Sequence, residues 1–441
     1  MISLKEYAFI KDIDIFSVNY TYSRELFKKR TLRTHRGTHS ILFGIFNVLI
    51  NLVRYVVFPG GITHPWKRKS FSHSVLFYID TENQRSALEP LINSEMYDSA
   101  ILLRDDLPLR KIYQISLLFV PYLARSYLKT TSYRRWTFNL ILKNYFLTYG
   151  YYAYVNRLLY RLSPKLLVMS NDHNMMNRIF LDVAKQMNIR TVYVQHASIS
   201  KFMPPMEFDY ALLEGEDALH KYQSIGIRGT QIYLTGNIKA GEYYTKVNHN
   251  HVIDNIGICA SKLDSLEDIR ELSDNIRSLH SFDIWLRPHP GGDVEGMYEL
   301  SREIGLGFSD PYKEVSFEFL SCLDSIVVSS SNIILEAALL NVYPVIYQPH
   351  VEKFTNPYGN FIEKLRLQTF NNLDDLDKYL LKIKDEKPDI REYTSYFDAS
   401  VGTNNEGNAQ KLAQKILYNI VEDHPIKPMN RKSDVGMTVH S

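Results

Sequence analysis

An arginine, a histidine, three serines and a glutamate fall where phosphate chemistry needs them. Arg287-Pro288-His289-Pro290-Gly291-Gly292 closes an apolar run. Its prolines and glycines stop both strand and helix, so Arg287, His289 and Pro290 belong to a loop at a strand's carboxyl end. Further on, Ser329, Ser330, Ser331 and Asn332 separate a strand over 325–328 from a helix over 333–340, and a buried strand over 344–347 follows. Ligands of such βαβ units lie beyond the carboxyl ends of the strands. Hydroxyls and unpaired backbone N–H groups at a helix start favour an anion. Glu336, on the first turns, is near enough to accept hydrogen bonds from a ribose. Each piece alone reads more readily as an N-cap or a turn. In this order and spacing they make a nucleotide-phosphate site, which Ser261 and Lys262 join from the end of an earlier strand.

The RPHP loop, the serine pair and the Glu-Ala helix resemble the HP and SS motifs of bacterial CMP-sugar glycosyltransferases, the sialyl-, polysialyl- and Kdo-transferases of capsule and lipopolysaccharide synthesis. The resemblance covers about residues 164–420. It implies a GT-B fold and an inverting, metal-independent transferase. Such an enzyme moves sialic acid or Kdo from a CMP-sugar donor to a capsule, lipopolysaccharide or lipooligosaccharide acceptor, with no cofactor beyond that donor substrate. Related enzymes carry an acidic-acidic-glycine motif. Here the order is Glu214-Gly215-Glu216-Asp217, a departure from it.

Transfer from a nucleotide sugar needs a base for the acceptor hydroxyl and stabilisation of the departing phosphate. Asp172, after the strand-like PKLLVMSN, is the first choice of base, with Glu214 and Glu216 as rivals; Asp172 reads equally as a helix N-cap. An imidazolium at His289, the serine hydroxyls and a helix N-terminus answer the second need. Asp12-Ile13-Asp14 is solvated charge rather than a metal motif, and Asp374, Asp375 and Asp377 look like a helix start, so no metal ligands are assigned. A CDP-glycerol or polyol-phosphate transferase would share the fold and a His/Ser phosphate site. A UDP-sugar 2-epimerase carries a Ser-x5-Glu-Glu-Ala helix that Ser330 to Glu336 comes near, but has no need of a basic aromatic extension of this size. An assembly protein on a degenerate transferase fold is disfavoured by intact Arg287, His289, Ser330 and Glu336. No GxxxxGK[ST] or GxGxxG is present, which disfavours ATP and dinucleotide chemistry.

These residues require elements to place them. From Ser74 strand-like and helical runs alternate, which predicts an α/β fold with parallel sheets covered on both faces. Residues 116–128 read as strand or helix alike, and 136–162 as a long aromatic helix. A polar hinge over 238–254 separates two series. The expectation is two facing doubly wound, Rossmann-like domains with a cleft between them: 74–240 on the acceptor side and 250–422 holding the nucleotide sugar. Residues 1–73 form a basic, amphipathic extension of the first domain, and 423–441 a disordered tail.

Length and charge agree. The 441 residues exceed one typical core. Net charge is only +2, yet residues 1–70 hold 12 Lys/Arg against 4 Asp/Glu, and 101–165 hold 11 against 2. That asymmetry points to an anionic partner, an anionic or lipid-linked glycan acceptor or the inner membrane surface; no nucleic-acid-binding signature accompanies it. After the basic run at 28–36, residues 41–58 form an apolar stretch in which Ser40, Gly44, Asn47, Asn51 and Arg54 make one narrow polar stripe. It reads as an interfacial helix or as one buried against its own domain. Two cysteines and no signal peptide place the chain in the cytoplasm, with peripheral attachment to the inner face of the cytoplasmic membrane as the accompanying expectation.

Overall fold

A computed structural model describes residues 41–53, 74–129, 132–200, 203–262, 264–329, 331–349 and 361–425. Asp12, Asp14, the basic run at 28–36, the end of the 41–58 stretch, Ser330 and the tail beyond 425 lie outside the described residues.

Two six-stranded parallel sheets form the frame. The first comprises β1 (Val75–Ile79), β2 (Ser99–Leu103), β3 (Leu166–Met169), β4 (Arg190–Val194), β5 (Tyr210–Leu213) and β6 (Gln231–Leu234), in the order β2-β1-β3-β4-β5-β6. Strands β1 and β3 are buried throughout, as continuous apolar runs covered on both faces must be. The period of two then sorts the side chains. Leu76, Tyr78, Leu167 and Met169 enter one core, while Val75, Phe77, Leu166 and Val168 enter the other.

The helices of this half are α1 (Ile41–Leu52), α2 (Glu82–Ile92), α3 (Leu109–Leu117), α4 (Val120–Lys129), α5 (Ser132–Leu162), α6 (Met175–Gln186) and α7 (Glu216–Ile225). The ambiguous stretch 116–128 is helical on either side of a turn at Leu118-Phe119. Pro121 sits in the first turn of α4, where a missing N–H costs nothing.

The second sheet runs β12-β11-β10-β7-β8-β9. Its strands are β7 (Asn255–Cys259), β8 (Asp283–Arg287), β9 (Gly307–Phe308), β10 (Ser325–Val328), β11 (Tyr343–Tyr347) and β12 (Thr369–Phe370). The two-residue edge strands β9 and β12 are too short to leave a periodic signal. Its helices are α8 (Leu266–Ser278), α9 (Val294–Ile304), α10 (Ser316–Leu320), α11 (Ile333–Leu339), α12 (Phe361–Lys364), α13 (Leu373–Ile383) and α14 (Ala409–Val421).

Two features differ from the expected division. The hinge at 238–254 opens with a 3-10 stretch, Ile238–Lys246, capped by the Asn237 side chain and burying Ile238, Ala240 and Tyr244. Helix α14, expected within the second domain, packs on the first sheet. Leu412, Ile416, Leu417 and Ile420 share a core with Leu88, Leu91, Phe77 and Val168. The chain therefore crosses between the units twice.

Asp398, almost wholly buried, ties the crossings together. Its carboxylate accepts from Asn237 N (2.8 Å), Ser400 N (2.8 Å) and Ser400 Oγ (2.6 Å), and from the Tyr244 hydroxyl. Gly236 adopts φ +83° beside it, and a Cβ there would lie 2.6 Å from Asp398 Oδ1.

Candidate active site

The carboxyl ends of β3, β4 and β5 line one wall. After β3 the side chain of Asn171 accepts from the backbone of His173 (2.9 Å) and Asn174 (3.2 Å), folding the loop back on itself. Helix α6 is capped by Asn174, whose Oδ1 accepts from Asn177 N at 3.0 Å. Asp172 is therefore not the N-cap. It is fully buried, accepting from the Tyr222 hydroxyl at 3.0 Å and lying 3.3 Å from His173 Nδ1. With its two oxygens engaged by the Tyr222 hydroxyl and His173, this carboxylate suits orienting those neighbours.

Glu214, at the end of β5, is clamped by Gln195. Gln195 Nε2 donates to Glu214 Oε2 (3.1 Å), and Gln195 Oε1 accepts from Glu214 N (2.9 Å). Burial pushes this carboxyl up to about 8. The Lys239 ammonium opposes the shift, while Asp398, Glu336 and Asp217 reinforce it. Carboxylates from both units thus add to the field at Glu214. Glu216 is different: it lies in the first turn of α7, 3.7 Å from His220 Nε2. It and Asp217 meet the positive end of the helix, a structural role sufficient to explain them.

His196 follows β4 in Gln195-His196-Ala197-Ser198, which the sequence reads as a strand end facing the cleft without giving the histidine a chemical role. Its Nδ1 is enclosed with no hydrogen-bond partner. Burial first, then Lys239 and His173, push its pKa down to about 4, so the imidazole is neutral at physiological pH. Lys239 donates to the His196 carbonyl at 3.0 Å. The signal in the sequence is faint, a Gln-His pair directly after an apolar strand.

The opposite wall is built from the second sheet. His289 is exposed at the end of β8, and Gly291 N donates to its Nδ1 at 2.8 Å. That bond fixes the proton of the neutral ring on Nε2, which becomes a donor. Partial burial in its loop and the nearby Lys262 lower the His289 pKa, which favours the neutral imidazole over the expected imidazolium. Pro290 offers its carbonyl to the Tyr312 hydroxyl (2.6 Å), which buttresses the loop.

Arg287 turns away from this loop. Its guanidinium bonds the Ser309 hydroxyl and the Glu314 carbonyl (2.8 Å) and lies 5.3 Å from the Phe319 ring centre. Ser329 is engaged too: its hydroxyl reaches both oxygens of Asp264, at 3.1 and 3.0 Å, and Asp264 also accepts from Ser261 N at 2.7 Å. Asp264 thereby laces the loops after β7 and β10 together, a role hidden in the sequence because it reads as the approach to a helix. A cavity behind these loops is lined by Ile258, Cys259, Ile269, Leu272, Val328 and Tyr347.

Ser331 Oγ accepts weakly from Ile333 N (3.4 Å), and Asn332 Oδ1 is buried without a partner. Asn332 occupies the N-cap of α11 with helical backbone angles and no side-chain cap. Seven residues give α11 only a small dipole, so an anion at its start would be met mainly by hydroxyl and backbone donors. Glu336 sits in its first turn, half-buried. The structure therefore groups Asp172, His196, Glu214 and Lys239 on one wall and His289, Lys262, Ser331 and Glu336 on the other. Arg287, Ser261 and Ser329 hold the second wall together, and Glu216 stands apart on α7.

No family model and no curated sequence matches the chain. Solved structures do resemble it. One is assigned as UDP-N-acetylglucosamine 2-epimerase from Listeria monocytogenes, 14% identical, with a TM-score of 0.53 over 82% of this chain and 98% of that one. A second UDP-N-acetylglucosamine 2-epimerase is 13% identical, with a TM-score of 0.52 over 82% of this chain and 99% of its own. The wall teichoic acid polymerase TagF, in a form soaked with CDPG, is 11% identical, with a TM-score of 0.50 over 79% of this chain and 89% of that one. At these identities the likeness establishes the shared architecture: the chain has the GT-B fold.

Proposed function

We propose that the chain is a metal-independent transferase that moves a group from a cytidine-nucleotide donor to a hydroxyl of a surface glycan or polyol polymer, releasing CMP. The observation that carries this reading is Glu214: a carboxyl buried at the end of β5, clamped by Gln195 and crowded by the charge of Glu336 from the opposing wall. A base is most effective when its pKa lies near the working pH, and Glu214 has that property.

In the proposed reaction the acceptor oxygen attacks the donor's reactive centre, the bond to the CMP phosphate oxygen breaks, and the acceptor proton passes to Glu214. His289 Nε2–H and the Lys262 ammonium meet the charge arriving on the phosphate, and Glu336 holds the ribose. Asp172 orients His173 and Tyr222 beneath the acceptor. A single displacement of this kind inverts the reacting centre. The motif resemblance favours a CMP-linked acidic sugar, sialic acid or Kdo. The likeness to TagF favours a CDP-linked polyol phosphate. Either donor leaves CMP, which suits a compact anion site built from one loop histidine and one lysine. An epimerase reading draws on the fold likeness to UDP-N-acetylglucosamine 2-epimerases and on a carboxyl able to exchange protons near neutral pH.

The test is a panel of CMP-sialic acid, CMP-Kdo, CDP-glycerol and UDP-N-acetylglucosamine in the presence of EDTA. Release of CMP from a cytidine donor supports the proposal and identifies its branch. Conversion of UDP-N-acetylglucosamine without nucleotide release, or turnover that EDTA abolishes, overturns it.

A further inference from the structure

Helix α1 is amphipathic in the inverse sense. A helix on the surface of a water-soluble unit turns its apolar stripe to the core and its polar stripe to water. In α1 the described part of the stripe predicted from the sequence, Gly44, Asn47 and Asn51, faces the protein together with Val48. Gly44 is buried, Asn47 and Asn51 are half-buried, and Asn51 Nδ2 bonds the Asn47 carbonyl at 2.7 Å against α5. The opposite stripe is apolar and exposed: Ile45, Phe46 (58%), Leu49 (54%) and Ile50, with Val53 just beyond the helix. One face of α1 is thus packed on the protein's own helix and the other left bare.

A second bare apolar region lies on neighbours that pack on the same α5. Leu117, Leu118, Val120 and Leu128 (71%) are exposed on α3, α4 and the turn between them. Exposed cations stand among them: Arg110, Lys111, Arg125 and Lys129. No Asp or Glu occurs between residues 26 and 79 or between 107 and 171. Apolar side chains interleaved with uncompensated cations match an anionic lipid surface, where chains enter the acyl boundary and ammonium groups meet phosphates. Among the described residues no helix is long and apolar enough to cross a membrane. The arrangement suits lying on a bilayer surface.

We infer that the face formed by α1, α3 and α4 docks on an anionic phospholipid bilayer. This inference stands whichever donor the cleft takes. The test is flotation of the full chain with phosphatidylcholine vesicles, with and without phosphatidylglycerol. The chain should float with the anionic vesicles and be released by raised salt. Phe46→Asp with Leu49→Asp should weaken that binding by at least about tenfold. Lys111→Gln, Arg125→Gln and Lys129→Gln should each weaken it by about fivefold. All these side chains are exposed, so thermal unfolding should match the wild type. Three outcomes overturn the inference: no flotation with anionic vesicles, variants that float as the wild type does, or a solution dimer that Phe46→Asp splits without any vesicle binding. The last would assign the face to a second copy of the chain.

Discussion

At the scale of single residues, Glu214 and His289 carry opposite halves of one proposed reaction and should separate experimentally. Glu214→Gln removes the proton acceptor while leaving the nucleotide wall intact, so turnover should collapse with CMP binding preserved in titration calorimetry. Because burial holds this carboxyl protonated up to about 8, turnover by the wild type should rise with pH through that value as the base ionises. A profile flat from 6 to 9 would remove Glu214 from the role. His289→Ala should cost about 3 kcal/mol, near a hundredfold in rate, since it deletes one donor to the leaving phosphate. Arg287 differs from both. Its guanidinium is spent on Ser309, Glu314 and Phe319. Arg287→Ala should lower unfolding stability by about 2 kcal/mol by orphaning those buried groups, measured by denaturant titration.

At the scale of elements, the crossing segment is the sensitive part. Gly236 needs its left-handed φ of +83° and has no room for a side chain beside Asp398. Gly236→Ala should therefore destabilise by about 2 kcal/mol or more, and Tm measured by calorimetry should fall accordingly. The same logic explains why the 238–254 stretch is not a slack linker. Asn237 caps it and Tyr244 reaches Asp398, so polar residues that suggest flexibility are instead consumed in local bonds.

For the whole molecule, α14 fastens the second unit to the first. Its Leu412, Ile416, Leu417, Ile420 and Val421 complete a core begun by β1 and β3. Its Gln410 and Gln414 both donate to the Pro90 carbonyl, at 2.7 and 2.9 Å. Burying five such side chains contributes about 1.5–3 kcal/mol each, comparable with the roughly 5–15 kcal/mol stability of a typical native protein. A chain ending at residue 408 should aggregate on expression, and supplying 409–425 in trans should partly recover soluble material. A soluble, cooperatively unfolding truncation would show that the first unit is complete without α14.

The sequence by itself determined the alternation of strands and helices, the parallel sheets, and the loops that carry Asp172, Glu214, His289 and the serines. Runs such as VLFYI and LLVM bury both faces of a strand, and proline and glycine end elements wherever they fall; both effects are local. Only the tertiary structure decided which polar side chains face the cleft. Arg287 and Ser329 belong to phosphate-binding residue types, yet Glu314 and Asp264, brought beside them by folding, take their donors. His196 and Lys239 gain meaning from one another across β4 and the crossing segment. The direction in which α1 turns its apolar stripe was equally undetermined, because periodicity defines two faces of a helix but not which one meets the protein. That choice rests on α5, and the packing of Gly44, Asn47, Val48 and Asn51 beside it leaves Phe46 and Leu49 facing outward.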